Sequence, residues 1–234
     1  MKVIGLLGGM SWESSALYYQ LVNEEVRSRL GGTHSAECIM WSFDFHTVEG
    51  LQAAGDWSGA AALLAATAQR LERAGAELLV LCTNTMHQVA DEIAAALTIP
   101  LIHIADATGD AIRAAGIGRV ALLGTRYTME RDFYRSRLEL RHGLDVAVPT
   151  EPDRTEIHRI IYEELVRGIV VERSRERYEA IIDGLVTDGA EGVILGCTEI
   201  ELLVDPADTR WRLFPTTRLH ALAAVDAALP HPGL

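Results

Sequence analysis

Two short segments of the chain place chemically active side chains at matched positions of an internal repeat. Segment 75–85, GAELLVLCTNT, recurs as segment 189–199, GAEGVILGCTE. In this register Thr83 corresponds to Cys197, so one copy offers a hydroxyl where the other offers a thiol. If the two halves face each other across a small molecule, these groups suit a reaction that removes a proton from one face of a carbon and returns one to the other.

The two groups differ in basicity. Cys197 comes before a predicted helix start, where the positive end of the helix dipole lowers the pKa of a thiol, so we predict a thiolate that serves as a base. The hydroxyl of Thr83 stays protonated near neutral pH unless a base removes its proton, so we predict that it donates a hydrogen bond or relays a proton from water. Cys82 is expected to point to the opposite face of its strand and cannot replace Thr83.

Each of these residues also has an ordinary structural role. A single cysteine at a strand end is commonly a small buried hydrophobe. Thr83, Asn84, Thr85 and Thr198 are all common helix N-caps. The match between the two copies of the repeat favours a functional role, because two similar clusters at equivalent positions are hard to ascribe to chance.

Composition excludes several classes of protein and cofactor. The formal charge of -12 disfavours binding to nucleic acid or anionic membranes. The longest apolar runs are about eight residues, against the roughly 20 that a membrane span needs. Because the N-terminus lacks the features of a secretory signal, we expect a cytoplasmic protein. The three cysteines are widely spaced, which indicates neither a disulfide framework nor a metal site. Lys2 is the only lysine, so pyridoxal phosphate chemistry is nearly excluded, and the P-loop motif is absent.

Short apolar segments alternate with longer amphipathic ones, which predicts an α/β protein with doubly wound parallel sheets. The predicted strands are Lys2–Leu7, Glu37–Phe43, Glu77–Cys82, Pro100–His103, Arg119–Leu123, Leu144–Val148 and Gly192–Gly196. The predicted helices are Glu13–Leu30, Trp57–Ala74, His87–Leu97, Thr108–Ala115, Met129–Leu140, Thr155–Gly168, Arg173–Asp188 and Thr217–Ala228.

The repeat predicts two similar α/β domains. Besides the first pair of segments, segment 5–10 resembles segment 121–125 at a similar offset. We therefore expect an N-terminal domain over residues 1–104 and a C-terminal domain over residues 105–215, with a last helix in 216–234 that packs back on the first domain. Ligands of parallel α/β sheets bind beyond the carboxyl ends of the strands. Four predicted turns lie there, at residues 8–11, 83–85, 124–126 and 197–199.

Three motifs resemble those of the aspartate/glutamate racemase family of cofactor-independent amino-acid racemases. They are GLLGGMS at 5–11, TNTMH at 83–87 and GCTEI at 196–200. The resemblance runs over essentially the whole chain and is strongest to the L-aspartate/glutamate-specific subgroup, which has threonine at the first catalytic position. It implies two domains related by a pseudo-twofold axis, an active site in the cleft between them, a homodimer, a small amino-acid substrate and no cofactor or metal.

The resemblance also implies the roles of individual residues. In the family, a cysteine from each domain flanks the substrate Cα; Cys197 matches the second, and Thr83 stands at the first. Cys197 would remove the α-proton, and reprotonation would occur on the opposite face at Thr83. The remaining residues that the resemblance places around the substrate are Met10, Gln52, Asn84, Thr85, Thr125, Thr198 and Glu199.

Two cations of typical aspartate racemases are missing. The family has an arginine near the position of Gln52 and a lysine near Val166, although Arg167 is adjacent to the second position. The alternatives are therefore a racemase of broader specificity, a related isomerase or decarboxylase of the same fold, and a carboxylate-binding protein without catalysis.

Overall fold

The computed structural model describes residues 1–205 and 210–229 and confirms the predicted α/β class. The strands are β1 (Ile4–Gly8), β2 (Cys38–Ser42), β3 (Leu78–Leu81), β4 (Leu101–Ile102), β5 (Arg119–Gly124), β6 (Asp145–Ala147), β7 (Gly192–Gly196) and β8 (Leu213–Pro215). The α-helices are α1 (Trp12–Leu30), α2 (Phe45–Ala54), α3 (Trp57–Arg73), α4 (Ala90–Ala95), α5 (Ile104–Ala114), α6 (Arg126–Glu130), α7 (Asp132–His142), α8 (Asp153–Glu163), α9 (Glu172–Thr187) and α10 (Thr216–Ala228). Within these described ranges, short 3₁₀ helices span Thr85–Val89, Leu165–Arg167 and Thr198–Leu202.

The chain divides into two compact units. The first unit comprises Met1–Ile104 together with Thr217–Leu234, and the second comprises Ala105–Thr216. Residues 230–234, which belong to the segment predicted to return to the N-terminal domain, lie outside the described residues. In the part of the chain that is described, no helix is both long enough and apolar enough to span a lipid bilayer.

The first unit contains a four-stranded parallel sheet in the order β2-β1-β3-β4. Side chains alternate across β3, as strand geometry requires. Leu79 and Leu81 pack on one face with side chains of α2 and α3, while Leu78 and Val80 pack on the other face with α1 and α10. Burial on both faces explains why this strand is a continuous apolar run.

The second unit repeats this arrangement with the order β6-β5-β7-β8. Its main hydrophobic cluster joins β5 and β7 to α8, α9 and the 3₁₀ helix after β7. The strand register also repeats. Ile4 pairs with Leu78 in the first sheet, and Val120 pairs with Gly192 in the second. The internal repeat of the sequence is therefore a repeat of strand order and of strand register.

The repeated Gly-Ala-Glu motif has the same role in both units. The carboxylate of Glu77 accepts a hydrogen bond from the backbone N–H of Val3 at 2.8 Å, and that of Glu191 accepts one from Arg119 at 3.0 Å. The glycine of each motif has a positive φ, 108° at Gly75 and 101° at Gly189, which favours glycine over other residues. Each motif thus ties the start of its strand to the start of the neighbouring first strand.

Several elements differ from those predicted. The sequence pattern missed α2 and β8, and the predicted helix His87–Leu97 is a 3₁₀ turn followed by the short helix α4. The predicted helix Met129–Leu140 is interrupted at Arg131, which has an extended backbone between α6 and α7. These differences lie in short elements, where packing overrides a weak local pattern.

Candidate active site

The order of the strands defines a candidate site in each unit. The first and third strands of each half are neighbours, and the chain order changes direction between them; in open α/β sheets this switch point forms a ligand-binding crevice at the carboxyl ends of the strands. In the first unit these ends lead to residues 8–11 and 83–85. In the second unit they lead to residues 124–126 and 197–199. The predicted site residues therefore form two clusters, one in each unit.

The turn after β1 is closely packed around a serine. The hydroxyl of Ser15 accepts a hydrogen bond from the N–H of Gly9 at 2.7 Å and donates to the carbonyl of Ser11 at 2.9 Å. A Cβ on Gly8 would lie 2.3 Å from the Ser15 hydroxyl, so only glycine fits there. Met10 is 7% exposed and belongs to the same hydrophobic cluster as Met86.

Gln52 is buried on α2, a helix that the sequence did not predict. Its side chain is 4% exposed, and its amide nitrogen lies 2.9 Å from the sulfur of Met86. Met86 belongs to the 3₁₀ helix that begins at Thr85, so this contact holds α2 against the turn after β3. The predicted site residue Gln52 is therefore joined to that turn through Met86, and Met10 lies in the same hydrophobic cluster as this methionine.

The turn after β3 contains Thr83, Asn84 and Thr85. Thr83 is half-buried, whereas Asn84 and Thr85 are buried. The neighbouring Cys82 is fully buried in the cluster on the α1 and α10 side, and burial raises the pKa of its thiol. This confirms that Cys82 is directed into the core and does not share the surroundings of Thr83.

His87 is the last residue of the TNTMH motif, and the structure gives it a defined role. Its Nδ1 lies 2.7 Å from the carbonyl oxygen of Thr83, and its Nε2 lies 3.2 Å from the backbone nitrogen of Ile104. The spacing Thr-x-x-x-His was the available signal, because residues four apart meet on one side of a helical turn.

In the second unit, Thr125 caps α6. Its hydroxyl accepts a hydrogen bond from the N–H of Thr128 at 3.3 Å, and the side chain is 6% exposed. Gly124 ends β5 just before this cap, and a Cβ there would come within 3.0 Å of the carbonyl oxygen of Gly196. Thr125 is thereby placed next to the strand that leads to Cys197.

Cys197 forms a pair with Glu199. Its sulfur lies 3.0 Å from Oε2 of Glu199, with the thiol as the donor. Burial is the main cause that raises the pKa of the Cys197 thiol well above its usual range; the charge of Glu199 and the hydrogen bond to it raise the pKa further. Cys197, Thr198 and Glu199 are all half-buried.

The predicted resting thiolate at Cys197 is therefore wrong. The helix that follows is a 3₁₀ helix of only five residues, Thr198–Leu202, so its dipole is weak. The carboxylate in its first turn opposes a second negative charge. Cys197 rests as a thiol that is already hydrogen-bonded to a carboxylate able to accept its proton. The spacing Cys-x-Glu was the signal in the sequence for this pair.

The described residues contain no group of three or more histidine, cysteine, aspartate or glutamate side chains arranged to hold a metal ion. What the two clusters offer instead is a thiol–carboxylate pair in the second unit and a hydroxyl on the turn after β3 in the first. Such groups can bind a carboxylate and move protons.

Comparisons with known proteins agree with this chemistry. Residues 7–224 match the family model described as Asp/Glu/Hydantoin racemase. The crystal structure of a candidate Asp/Glu racemase from Yersinia pestis is 54% identical in sequence, covers 98% of this chain and 100% of its own, and has a TM-score of 0.92.

Two further structures extend the comparison. An aspartate racemase homologue from Pyrococcus horikoshii OT3 is 36% identical, with 97% of this chain and 99% of its own covered and a TM-score of 0.84. An aspartate racemase from Picrophilus torridus shares the fold at 16% identity, with a TM-score of 0.76 over 97% of this chain and 94% of its own. Family and fold together support an amino-acid racemase. The chain belongs to the Asp/Glu/hydantoin racemase family.

Proposed function

We propose that this protein is a cofactor-independent racemase of aspartate and glutamate. The observation that carries the proposal is the hydrogen bond from the Cys197 thiol to Glu199, at 3.0 Å, in a chain of the racemase family. A thiol beside a carboxylate can become the base that removes a weakly acidic α-proton, because the carboxylate accepts the thiol proton when it is needed.

In the proposed reaction, Glu199 accepts the proton of Cys197, and the resulting thiolate takes the α-proton of the substrate. The electrons of the broken C–H bond remain on the substrate as an enediolate. The Thr83 hydroxyl, or a water molecule that it holds, delivers a proton to the opposite face of Cα. Water then restores the proton at Thr83 and removes the one on Glu199, so protons balance over the cycle.

Backbone N–H groups supply the electrostatic part of the proposal. The turns at 83–85 and 197–199 each lead into a 3₁₀ helix, and the N–H groups in the first turn of a helix point outward from its start. Donors of this kind stabilise negative charge that develops on a carboxylate as the α-proton leaves. We assign the α-carboxylate of the substrate to these turns, with Met10, Gln52, Thr125 and Thr198 also around the substrate.

The choice of substrate rests on the relatives rather than on a cation in the predicted set. Gln52 provides a neutral amide, and Val166 provides no charge. We therefore expect aspartate and glutamate to be accepted through hydrogen bonds, and we expect weaker discrimination against their amides than a site with arginine would achieve. We also propose that the protein works as a homodimer in the cytoplasm; sedimentation of the purified protein and fractionation of its cells test these two points.

The experiment is proton–deuterium exchange at Cα across a panel of L- and D-amino acids that includes aspartate, glutamate, asparagine and glutamine. The enantiomer whose α-proton faces Cys197 is expected to exchange readily, and its mirror image slowly, because Thr83 is a poor base. Equal exchange from both enantiomers contradicts the arrangement with one thiol. Maleate, arylmalonates and hydantoins in the same panel test the related isomerase, decarboxylase and hydantoin racemase activities.

One observation favours a second candidate function. Thr83 is a hydroxyl at a position where the family has a cysteine, so the protein could bind a carboxylate ligand without catalysis. Thermal stabilisation by aspartate or glutamate, without any exchange at Cα, supports that function. Stabilisation together with exchange supports the racemase.

A further inference from the structure

Three histidines lie together in the first unit, beside the Thr83 turn. His87, His103 and His220 are all buried, with His220 fully so. The ring of His87 lies 4.5 Å from that of His103 and 5.6 Å from that of His220, between centroids, and both contacts are edge-to-face. A buried group of three imidazoles is uncommon unless each is hydrogen-bonded, and here the bonds of two are defined.

The hydrogen bonds fix the tautomer of each of these two rings. A carbonyl oxygen can only accept, so Nδ1 of His87 carries the proton that bonds to Thr83, and Nε2 accepts from the N–H of Ile104. His220 has the opposite tautomer. Its Nε2 donates to the carbonyl of Ile102 at 2.7 Å, and its Nδ1 accepts from the hydroxyl of Tyr18 at 2.8 Å.

The two rings bracket one short stretch of chain. His220 bonds to Ile102 at the end of β4, and His87 bonds to Ile104 at the start of α5. Both rings are neutral in this arrangement, and burial lowers the pKa of His220 to about 4. A second proton on His87 would place a donor against the N–H of Ile104, so this ring is also held in its neutral form.

The bond from His87 to Thr83 has a consequence for the proposed carboxylate site. A trans peptide is planar, with its C=O and N–H pointing in opposite directions. The carbonyl of Thr83 and the N–H of Asn84 belong to one peptide. Holding the carbonyl against His87 therefore aims the N–H of Asn84 away from the histidines.

We propose that His87, as its Nδ1–H tautomer, is a positioning residue that orients the Thr83–Asn84 peptide so that the N–H of Asn84 meets the substrate carboxylate, with His220 holding the supporting segment. This inference rests on the proposed racemase function and deepens it. It does not require His87 to touch the substrate or to exchange a proton with it.

The test compares His87→Asn with His87→Gln. The amide nitrogen of asparagine can occupy the place of Nδ1 and donate to Thr83, whereas that of glutamine reaches the place of Nε2 and leaves the carbonyl without its donor. We expect kcat to remain within about threefold in His87→Asn and to fall about 10-fold or more in His87→Gln, with a smaller change in KM, because the lost alignment matters most as charge develops. His34→Asn and His34→Gln, at an exposed histidine, serve as matched controls with no expected effect.

A second measurement separates this inference from the proposed function. The ¹³C shift of the Thr83 carbonyl and the ¹⁵N shifts of the His87 ring report the bond without any turnover. A wild-type-like carbonyl shift in His87→Asn and a changed one in His87→Gln support the inference, even if the wild-type protein exchanges no amino acid and the proposed function fails. Equal shifts in the two variants, or an Nε2–H tautomer of His87 in the wild type, overturn it, and so do equal kcat values in active variants.

Discussion

The Thr83 turn and the Cys197 turn differ in chemistry although they stand on equivalent scaffolds. Both follow the third strand of a four-stranded parallel sheet with the same order and register, and both strands begin at a Gly-Ala-Glu motif that ties the sheet together. At the amino ends of β3 and β7 the two halves share the Gly-Ala-Glu sequence. At the carboxyl ends they have diverged, which is where ligands of such sheets bind.

The divergence concerns a pair of positions. In the register of the repeat, Thr83 corresponds to Cys197 and Thr85 corresponds to Glu199. The second unit therefore has a thiol and the carboxylate that accepts its hydrogen bond, whereas the first unit has two hydroxyls. In the first turn, the backbone carbonyl of Thr83 is instead hydrogen-bonded to the ring of His87. One turn is suited to remove a proton, and the other to hold a group in a fixed direction.

The largest effect is expected for Cys197→Ser. A serine hydroxyl can still bond to Glu199, but it is a far weaker acid than a thiol, so exchange at Cα should fall about 10³-fold. The measurement is deuterium incorporation into both enantiomers of aspartate and glutamate. Cys38→Ser, at a half-buried cysteine on β2, is the matched control and should retain activity. Activity in Cys197→Ser above a tenth of the wild-type value would remove the proposed base.

Glu199→Gln should separate thiol ionisation from catalysis. Replacing the charged acceptor by a neutral amide lowers the raised pKa of Cys197, so its thiolate fraction at pH 7 rises, by about 10-fold for one pKa unit. Alkylation of Cys197 by iodoacetamide should therefore accelerate, while racemisation slows about 10- to 100-fold because the proton acceptor is lost.

The charge-matched control is Glu201→Gln, which removes a carboxylate that raises the pKa of Cys197 only weakly. Glu201→Gln should change the rates of alkylation and racemisation less than Glu199→Gln does. If Glu199→Gln racemises as fast as the wild-type protein, Glu199 does not accept the thiol proton.

Thr83→Cys should reduce the difference between the two turns. A thiol at this position should increase exchange of the slow enantiomer about 10-fold, because it ionises far more readily than a hydroxyl. The double variant Thr83→Cys/Thr85→Glu supplies the carboxylate as well and should gain more than the single variant. A loss of exchange in both variants would show that the hydroxyl of Thr83 has a specific role that a thiol cannot fill.

The last effect concerns stability rather than catalysis, and it is expected in the response to acid. His220 has a pKa of about 4 in the folded protein, against about 6.5 for a free histidine, so the unfolded chain binds more protons between these values. The lowered pKa of His220 therefore contributes to the free energy of unfolding above pH 6.5. This contribution, on the order of 3 kcal/mol, is lost as the pH is lowered towards 4. Urea unfolding at pH 7 and pH 4.5 should show a smaller difference in His220→Gln than in the wild-type protein.

His158 of the second unit is the comparison for this measurement. Burial also lowers its pKa, but it is only partly buried. His158→Gln should therefore change the pH dependence less than His220→Gln. A larger change at His158 would contradict the assignment of the acid-sensitive histidine to the first unit.

The sequence predicts what depends on local pattern. Continuous apolar runs identified the central strands, and alternation along β3 correctly directed Cys82 into the core. The helix α2 was missed because its pattern is short, although its cap, Asp44, accepts a hydrogen bond from the N–H of His46. The strand β8 has three residues and ends in proline, which gives almost no strand signal.

The charge state of the site could not be predicted from local pattern. A strand end followed by a helix suggested a thiolate at Cys197, and that rule neglects burial and the position of the Glu199 carboxylate. Both depend on how the chain packs after β7. The same holds for His87, whose two bonds join residues on separate elements. The sequence shows which side chains occupy these positions. The ionisation of Cys197 and the tautomer of His87 depend on the fold.

The discontinuity of the first unit sets an order in which the two units can be completed during synthesis. Residues of α10, including His220, Ala221 and Val225, belong to the core and hydrogen bonds of the first unit, yet the ribosome adds them after the whole of the second unit. Domains generally fold as they emerge, starting from the N-terminus. Here the contiguous second unit can complete its fold before the last helix of the first unit has been synthesised. The segment that ends β4 therefore receives the support of His220 only late in translation.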